Sequence, residues 1–171
     1  MDERTGVVTS RGNPLTLLGV ELKVGDTAPD VEVIANDMSP VSLSSFKGKV
    51  CILSAVMSLD TSVCATETRK FNESAEEFDG RLEILTISMD LPFAQKRWCG
   101  AAGLENARTL SDYRGAKFGH AYGILIKELY LLARAVFVVD KEGIVRYVQV
   151  VPEVTDEPDY NAVIEAARKL L

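Results

Sequence analysis

The sequence is short of histidine, of cysteine and of positive charge, and each shortage removes a class of function. One histidine and three cysteines in 171 residues, at spacings that suit no ligand set, leave no expected metal centre. No cofactor-binding motif takes its place, so no cofactor is expected. Nineteen Lys and Arg against 25 Asp and Glu give a net charge of −6 and a pI near 4.9. That balance argues against nucleic acid or an anionic membrane as a partner. No apolar run approaches the ~20 residues that cross a bilayer. The opening Met1-Asp2-Glu3-Arg4 is acidic and is followed by no apolar h-region, so no secretory signal and a cytoplasmic location are expected. In that compartment a disulfide is more often transient and catalytic than structural.

What is present is enough for a packed core. The apolar fraction is 47%, and the length suits one domain over 1–171, with 1–20 as an N-terminal hairpin extension. The chain is organised around residues 50–71. Val50 to Val56 is an apolar run that predicts a strand buried on both faces. A polar loop, Ser58-Leu59-Asp60-Thr61-Ser62, leads into a helix in which Val63, Phe71, Ala75 and Phe78 recur at broadly helical spacing. Thr61 or Ser62 suits the N-cap, with Glu67 downstream, and Cys64 falls in the first turn. A free cysteine, with pKa near 8.5, is only roughly 3% thiolate at pH 7. Unpaired amides and the positive end of the helix dipole favour the anion, which is the reactive form. Making it the major species needs roughly 2.7 kcal/mol, more than a dipole supplies, so a nucleophilic Cys64 requires a cation as well.

Along the chain, Val7–Ser10 and Leu15–Leu18 flank Arg11-Gly12-Asn13-Pro14, a hairpin signal in which Gly12 and Asn13 suit the turn. Val31–Ile34 reads as a strand. Asp79-Gly80 ends the first long helix, and Leu82–Ser88 is a strand, which completes a βαβ unit with a right-handed crossover. Asp90 suits the N-cap of a short helix from Leu91 or Pro92 to about Cys99, closed by Gly100. Cys51 lies inside the buried strand and reads as core, and His120 as a surface residue. Leu129 to Val139 is apolar except for Arg134, whose charge needs an anion if it is buried. Asp140–Gly143 is a hairpin turn, Ile144–Val150 the returning strand, and Asp159–Leu171 an amphipathic helix covering the sheet.

The stretch Ser58-Leu59-Asp60-Thr61-Ser62-Val63-Cys64 resembles the active-site loop of peroxiredoxins, and more narrowly that of the bacterial thiol peroxidases, the atypical two-cysteine type. The resemblance continues through Gly12-Asn13-Pro14-Leu15-Thr16-Leu17, Lys96-Arg97-Trp98-Cys99-Gly100, Ser111-Asp112-Tyr113-Arg114, Leu132 to Asp140, and Tyr147-Val148 to Glu153. The family's loop runs Pro-x-x-x-Thr-x-x-Cys. Thr61 and Cys64 match it, whereas Met57 stands where the proline is expected.

The resemblance implies an α/β, thioredoxin-like fold with a mixed central sheet, flanking helices and an N-terminal β-hairpin. It implies a thiol peroxidase that reduces hydrogen peroxide and alkyl hydroperoxides and works as a homodimer. Cys64 would be oxidised to a sulfenic acid and resolved by Cys99 to an intrachain Cys64–Cys99 disulfide, with thioredoxin as reductant. Thr61 and Arg134 would be catalytic. Thr61, Val63, Cys64, Arg134 and Met57 would line the peroxide site, with methionine giving apolar cover without fixing the backbone. Other readings differ in chemistry. A peroxide sensor or relay would share these residues and pass its oxidation to a partner protein. A thioredoxin-type exchanger would carry a Cys-x-x-Cys pair, and Thr61 occupies its upstream position. A scaffold would react with peroxide no faster than free cysteine.

Overall fold

The computed structural model describes residues 1–104 and 107–171. Its strands are β1 Glu3–Ser10, β2 Asn13–Leu18, β3 Glu32–Ile34, β4 Pro40–Ser42, β5 Val50–Ala55, β6 Leu82–Ser88, β7 Arg108–Ser111, β8 Leu125–Ile126, β9 Leu131–Leu132, β10 Ala135–Val139 and β11 Val145–Val150. Its helices are α1 Ser62–Ala75, α2 Pro92–Ala102, α3 Lys117–Ala121 and α4 Tyr160–Arg168. Seven strands form a sheet in the order β11-β10-β5-β6-β7-β3-β4. The three central strands β5, β6 and β7 are parallel, and those outside them pair antiparallel. This is the mixed sheet of the thioredoxin-like fold, with β5-α1-β6 as its βαβ unit.

All six residues of β5 are buried, as a strand covered on both faces must be. The two-residue period sorts them. Cys51, Leu53 and Ala55 point into a core with Phe118, Tyr122 and Phe137, while Val50 and Ile52 point into one with Phe71, Phe78 and Val163. α1 and α4 supply that second core. α2 lies on the same side, because its Gln95 and Cys99 reach Ser88 and Thr109, which share strand parity with Ile84. β6 is apolar on this side at Leu82 and Ile84 and polar at Thr86 and Ser88. The polar half therefore lies at the carboxyl end of the parallel strands, where open α/β sheets place their sites.

The hairpin β1–β2 closes through Arg11 and Gly12, at φ 50° and 80°, so the left-handed positions are these two and not Gly12 and Asn13. Ser10 already pairs with Asn13, which leaves two residues for a loop whose twist demands positive φ at both. The hairpin is extended by β8 and β9 into a second, four-stranded sheet. Its tip is pinned to the segment after β11: Thr9 N donates to Pro152 O at 2.7 Å, Val154 N to Thr9 O at 2.9 Å, and Gly12 N to Glu153 Oε1 at 2.9 Å.

Two expectations about α2 are corrected. The helix does not close at Gly100 but runs to Ala102 and is capped by Gly103 at φ 71°, the left-handed conformation glycine adopts without strain. Its N-cap is Leu91, and Asp90 makes no cap at all, because that carboxylate faces the Ser58–Leu59 loop instead. Among the described residues no helix is long and apolar enough to cross a membrane.

Candidate active site

The end of β5 delivers the chain to the sheet's carboxyl edge, where the loop 56–61 turns it into α1. Thr61 is the N-cap. Its hydroxyl accepts from Cys64 N at 3.4 Å and donates to Ser58 O at 3.0 Å, so its own proton is engaged with the loop. Cys64 is fully buried in the first turn, within a small apolar cluster with Val56 and Leu59. Met57 and Trp98 are half-buried against that cluster. Val63 is half-buried beside Cys64 and borders a shallow surface depression shared with Ser62, Thr66, Thr155, Asp156 and Glu157.

Arg134 enters from the segment just before β10. It is 1% exposed, and three of its nitrogens are committed: Nη1 donates to Glu67 Oε2 at 2.7 Å, and Nε and Nη2 donate to Val154 O at 3.1 and 2.9 Å. Burial works against its charge. The nearby Cys64 side chain and the Glu67 carboxylate, ion-paired with Nη1, more than offset that and hold the guanidinium above its ordinary range. Arg134 thus lies near Cys64, with Glu67 as its ion-pair partner.

Glu67 is the residue of this cluster that the sequence does not single out. It lies just downstream of the N-cap and is wholly buried. Burial pushes its carboxyl up, opposed by Arg134 and by the Ser54 hydroxyl, which donates to Oε1 at 2.9 Å. The available signal was its spacing. Cys64, Glu67, Thr68 and Phe71 fall at i, i+3, i+4 and i+7 and form the buried face of α1. A charge on that face needs a buried counter-charge, and Arg134 was the charge in the apolar run.

Cys99 is buried at the opposite side of this polar half-face, on α2 over β7, with its sulfur 3.7 Å from Thr109 Oγ1. Burial raises its thiol and the Thr109 contact lowers it, with a net rise. All three cysteines are free in this structure. Cys64 and Cys99 are carried by different helices, one at the start of α1 and one toward the end of α2. Cys51 stands away from both, at the start of β5, where it walls a cavity of about 230 Å³ with Phe46, Leu85 and Tyr122. Burial, and secondarily Glu83, push that thiol up to about 12.

The arrangement is a sulfur at the leading end of a helix, a buried cation beside it, and a second thiol on a neighbouring helix, and known proteins share the framework that carries it. The Redoxin family model matches residues 23–164. The thiol peroxidase of Halalkalibacterium halodurans is 59% identical over 96% of this chain and 98% of its own length, and that of Bacillus subtilis 52% identical over 96% and 98%. Among solved structures, a peroxiredoxin-like protein from Aquifex aeolicus superposes with a TM-score of 0.90 at 45% identity, covering 98% of both chains. The thiol peroxidase from Chromobacterium violaceum, at 22% identity and a TM-score of 0.85 over 95% of each chain, shares the fold. The chain belongs to the redoxin family, within its peroxiredoxins and on the thiol peroxidase branch.

Proposed function

We propose that the protein reduces hydrogen peroxide and alkyl hydroperoxides at Cys64. The observation that carries this is the buried Arg134–Glu67 pair on the face of α1 that also carries Cys64. The Cys64 thiolate attacks the distal oxygen of the O–O bond. An S–O bond forms, the O–O bond breaks, and the departing oxygen takes a proton to leave as water or alcohol, with sulfur at the sulfenic level. Charge moves along the S–O–O line during this step, so fixed donors aimed at it lower the barrier. Arg134 supplies a charged donor. The amides of the first turn around Val63 and Cys64 supply others. Thr61 would exchange its bond to Ser58 O for one to a peroxide oxygen. Met57 would keep water from the sulfur.

In the second step the Cys99 sulfur attacks the Cys64 sulfur. An S–S bond forms, the S–OH bond breaks, and water leaves with the proton of the Cys99 thiol. Both sulfurs are buried on different helices, so the disulfide requires local opening around both. A reduced dithiol partner of the thioredoxin kind returns both thiols by exchange and is itself oxidised. A cytoplasmic homodimer belongs to the same proposal.

The test is a thiol titration before and after one equivalent of peroxide, with peptide mapping and stopped-flow kinetics. Loss of two thiols, recovered as a Cys64–Cys99 peptide pair, is expected, with oxidation far faster than for free cysteine. A reaction no faster than free cysteine would overturn the reading. Fast oxidation with poor thioredoxin turnover and a mixed disulfide to one protein would mark a relay instead.

A further inference from the structure

Asp90 is the node of a hydrogen-bonded chain that runs from the Cys64 loop to the Cys99 helix. Its carboxylate accepts three bonds. Ser58 Oγ donates to Oδ1 at 2.7 Å, Leu59 N donates to Oδ2 at 2.9 Å, and Ser88 Oγ donates to Oδ2 at 2.8 Å. Ser88 Oγ in turn accepts from Gln95 Nε2 at 3.0 Å, and that amide also donates to Leu110 O at 2.9 Å. The Asp90 backbone is fixed too, its carbonyl accepting from Ser111 Oγ. Ser58 and Leu59 belong to the loop that aims Cys64. Gln95 lies one helical turn before Cys99 on the same face of α2. Ser88, Gln95 and Ser111 are completely buried.

A second observation shows what this chain restrains. Gln95 Oε1 is a buried acceptor with no partner among the described residues, as is the neighbouring Thr86 Oγ1 on the strand beneath. A buried acceptor left unpaired disfavours the packed state, and water reaching it on opening would satisfy it. α2 is therefore docked over an unsatisfied group while the other end of the same amide is held, through Ser88, by Asp90.

We propose that Asp90 is a positioning residue that couples the two cysteine-bearing segments, holding loop and helix closed for peroxide reduction and opposing their opening for disulfide formation. It touches neither sulfur and acts through Ser58, Leu59 and Gln95. The inference rests on the peroxidase reading and deepens it. It requires that the two chemical steps respond in opposite directions to loss of the carboxylate.

The readout is built in. Trp98 is the chain's single tryptophan, next to Cys99 and packed against the Cys64 cluster, so its fluorescence reports both steps. In stopped-flow mixing with hydrogen peroxide, Asp90→Ala is expected to slow the oxidation phase about tenfold, the scale of one charge-assisted hydrogen bond, and to speed the disulfide phase by several-fold. Asp90→Asn keeps one acceptor oxygen and is expected to fall between. Ser58→Ala removes a single arm and is expected to shift both phases the same way by about threefold, roughly half the tenfold effect on a free-energy scale. It serves if Asp90→Ala does not fold. A purely structural Asp90 would lower the melting temperature and leave the ratio of the two rates unchanged, and that result, in either Asp90→Ala or Ser58→Ala, overturns the proposal. If the wild-type protein shows no fast peroxide response, the peroxidase reading fails first, and the two failures are distinguished.

Discussion

A guanidinium cut off from water must be answered by acceptors, and Arg134 is answered by Val154 O and Glu67, with Cys64 nearby. The pair with Glu67 has consequences separable from the one with Cys64. Replacing Arg134 by methionine leaves Glu67 buried without its cation and is expected to cost roughly 3–5 kcal/mol in urea unfolding, along with most of the peroxide reactivity. Adding Glu67→Gln removes the orphaned charge. The double variant should recover much of the stability and none of the peroxide rate, measured on the same samples. Recovery of both would mean that Arg134 serves only to neutralise Glu67. At this scale the sequence was uneven. An isolated arginine in an apolar run announced its need for an anion, and the cysteine announced its need for a cation, but the carboxylate between them was hidden by a position that also suits a helix start. Asp90 was hidden in the same way. An aspartate just before a helix is the ordinary sign of a cap, and only tertiary structure shows that its carboxylate turns to another loop.

Elements were legible where periodicity or turn chemistry is strong. The buried strand β5, the amphipathic α4 with Val163, Ile164 and Ala167 inward, and the βαβ order all follow from spacing. The end of α2 was not, because both Gly100 and Gly103 suit a helix end and only the chain's need for a left-handed residue selects the later one. Less visible still was the buttress behind Arg134. The hairpin β1–β2 grips the segment 152–154, and that segment's Val154 carbonyl holds the guanidinium. The grip depends on Glu153, whose carboxyl is lowered from 4.5 to about 2, first by the Gly12 amide and then, against some desolvation, by Thr155. A group whose folded pKa is depressed contributes stability that is present above its unfolded value and is lost as pH falls through the folded one. The hairpin's hold should therefore weaken as pH drops from about 4.5 to about 2. Hydrogen exchange at Gly12 in the wild type is expected to gain protection loss across that window beyond the intrinsic pH dependence. Glu153→Gln should show the loosened state at all pH values, with a several-fold slower peroxide reaction at neutral pH. An unchanged Gly12 amide in the variant would remove Glu153 from this role.

At the scale of the whole molecule, the sheet places apolar residues at one end of the α1–α2 side and polar ones at the other, and the chemistry sits in the polar half. Val50, Ile52, Leu82 and Ile84 anchor the lower ends of β5 and β6, packed under Phe71, Phe78 and Val163. Ser54, Thr86 and Ser88 occupy the upper ends, where contacts are made by hydrogen bonding and, among the described residues, two buried side-chain oxygens, Thr86 Oγ1 and Gln95 Oε1, have no partner. Stability is therefore graded along the strands. Opening the start of α1 and the body of α2 exposes polar groups to water and leaves the apolar core intact, whereas opening the far end would cost the core itself. Oxidation that joins Cys64 to Cys99 should be met by this graded half alone. After one equivalent of peroxide, amide exchange is expected to rise over 58–68 and 92–102, while β10, with all five residues buried, and the end of α1 around Phe71 keep their protection. The Trp98 signal should move with the exposed set. If protection is lost uniformly, including in β10, the disulfide forms only by global unfolding, and the division of the sheet into a rigid and a yielding half has no part in the reaction.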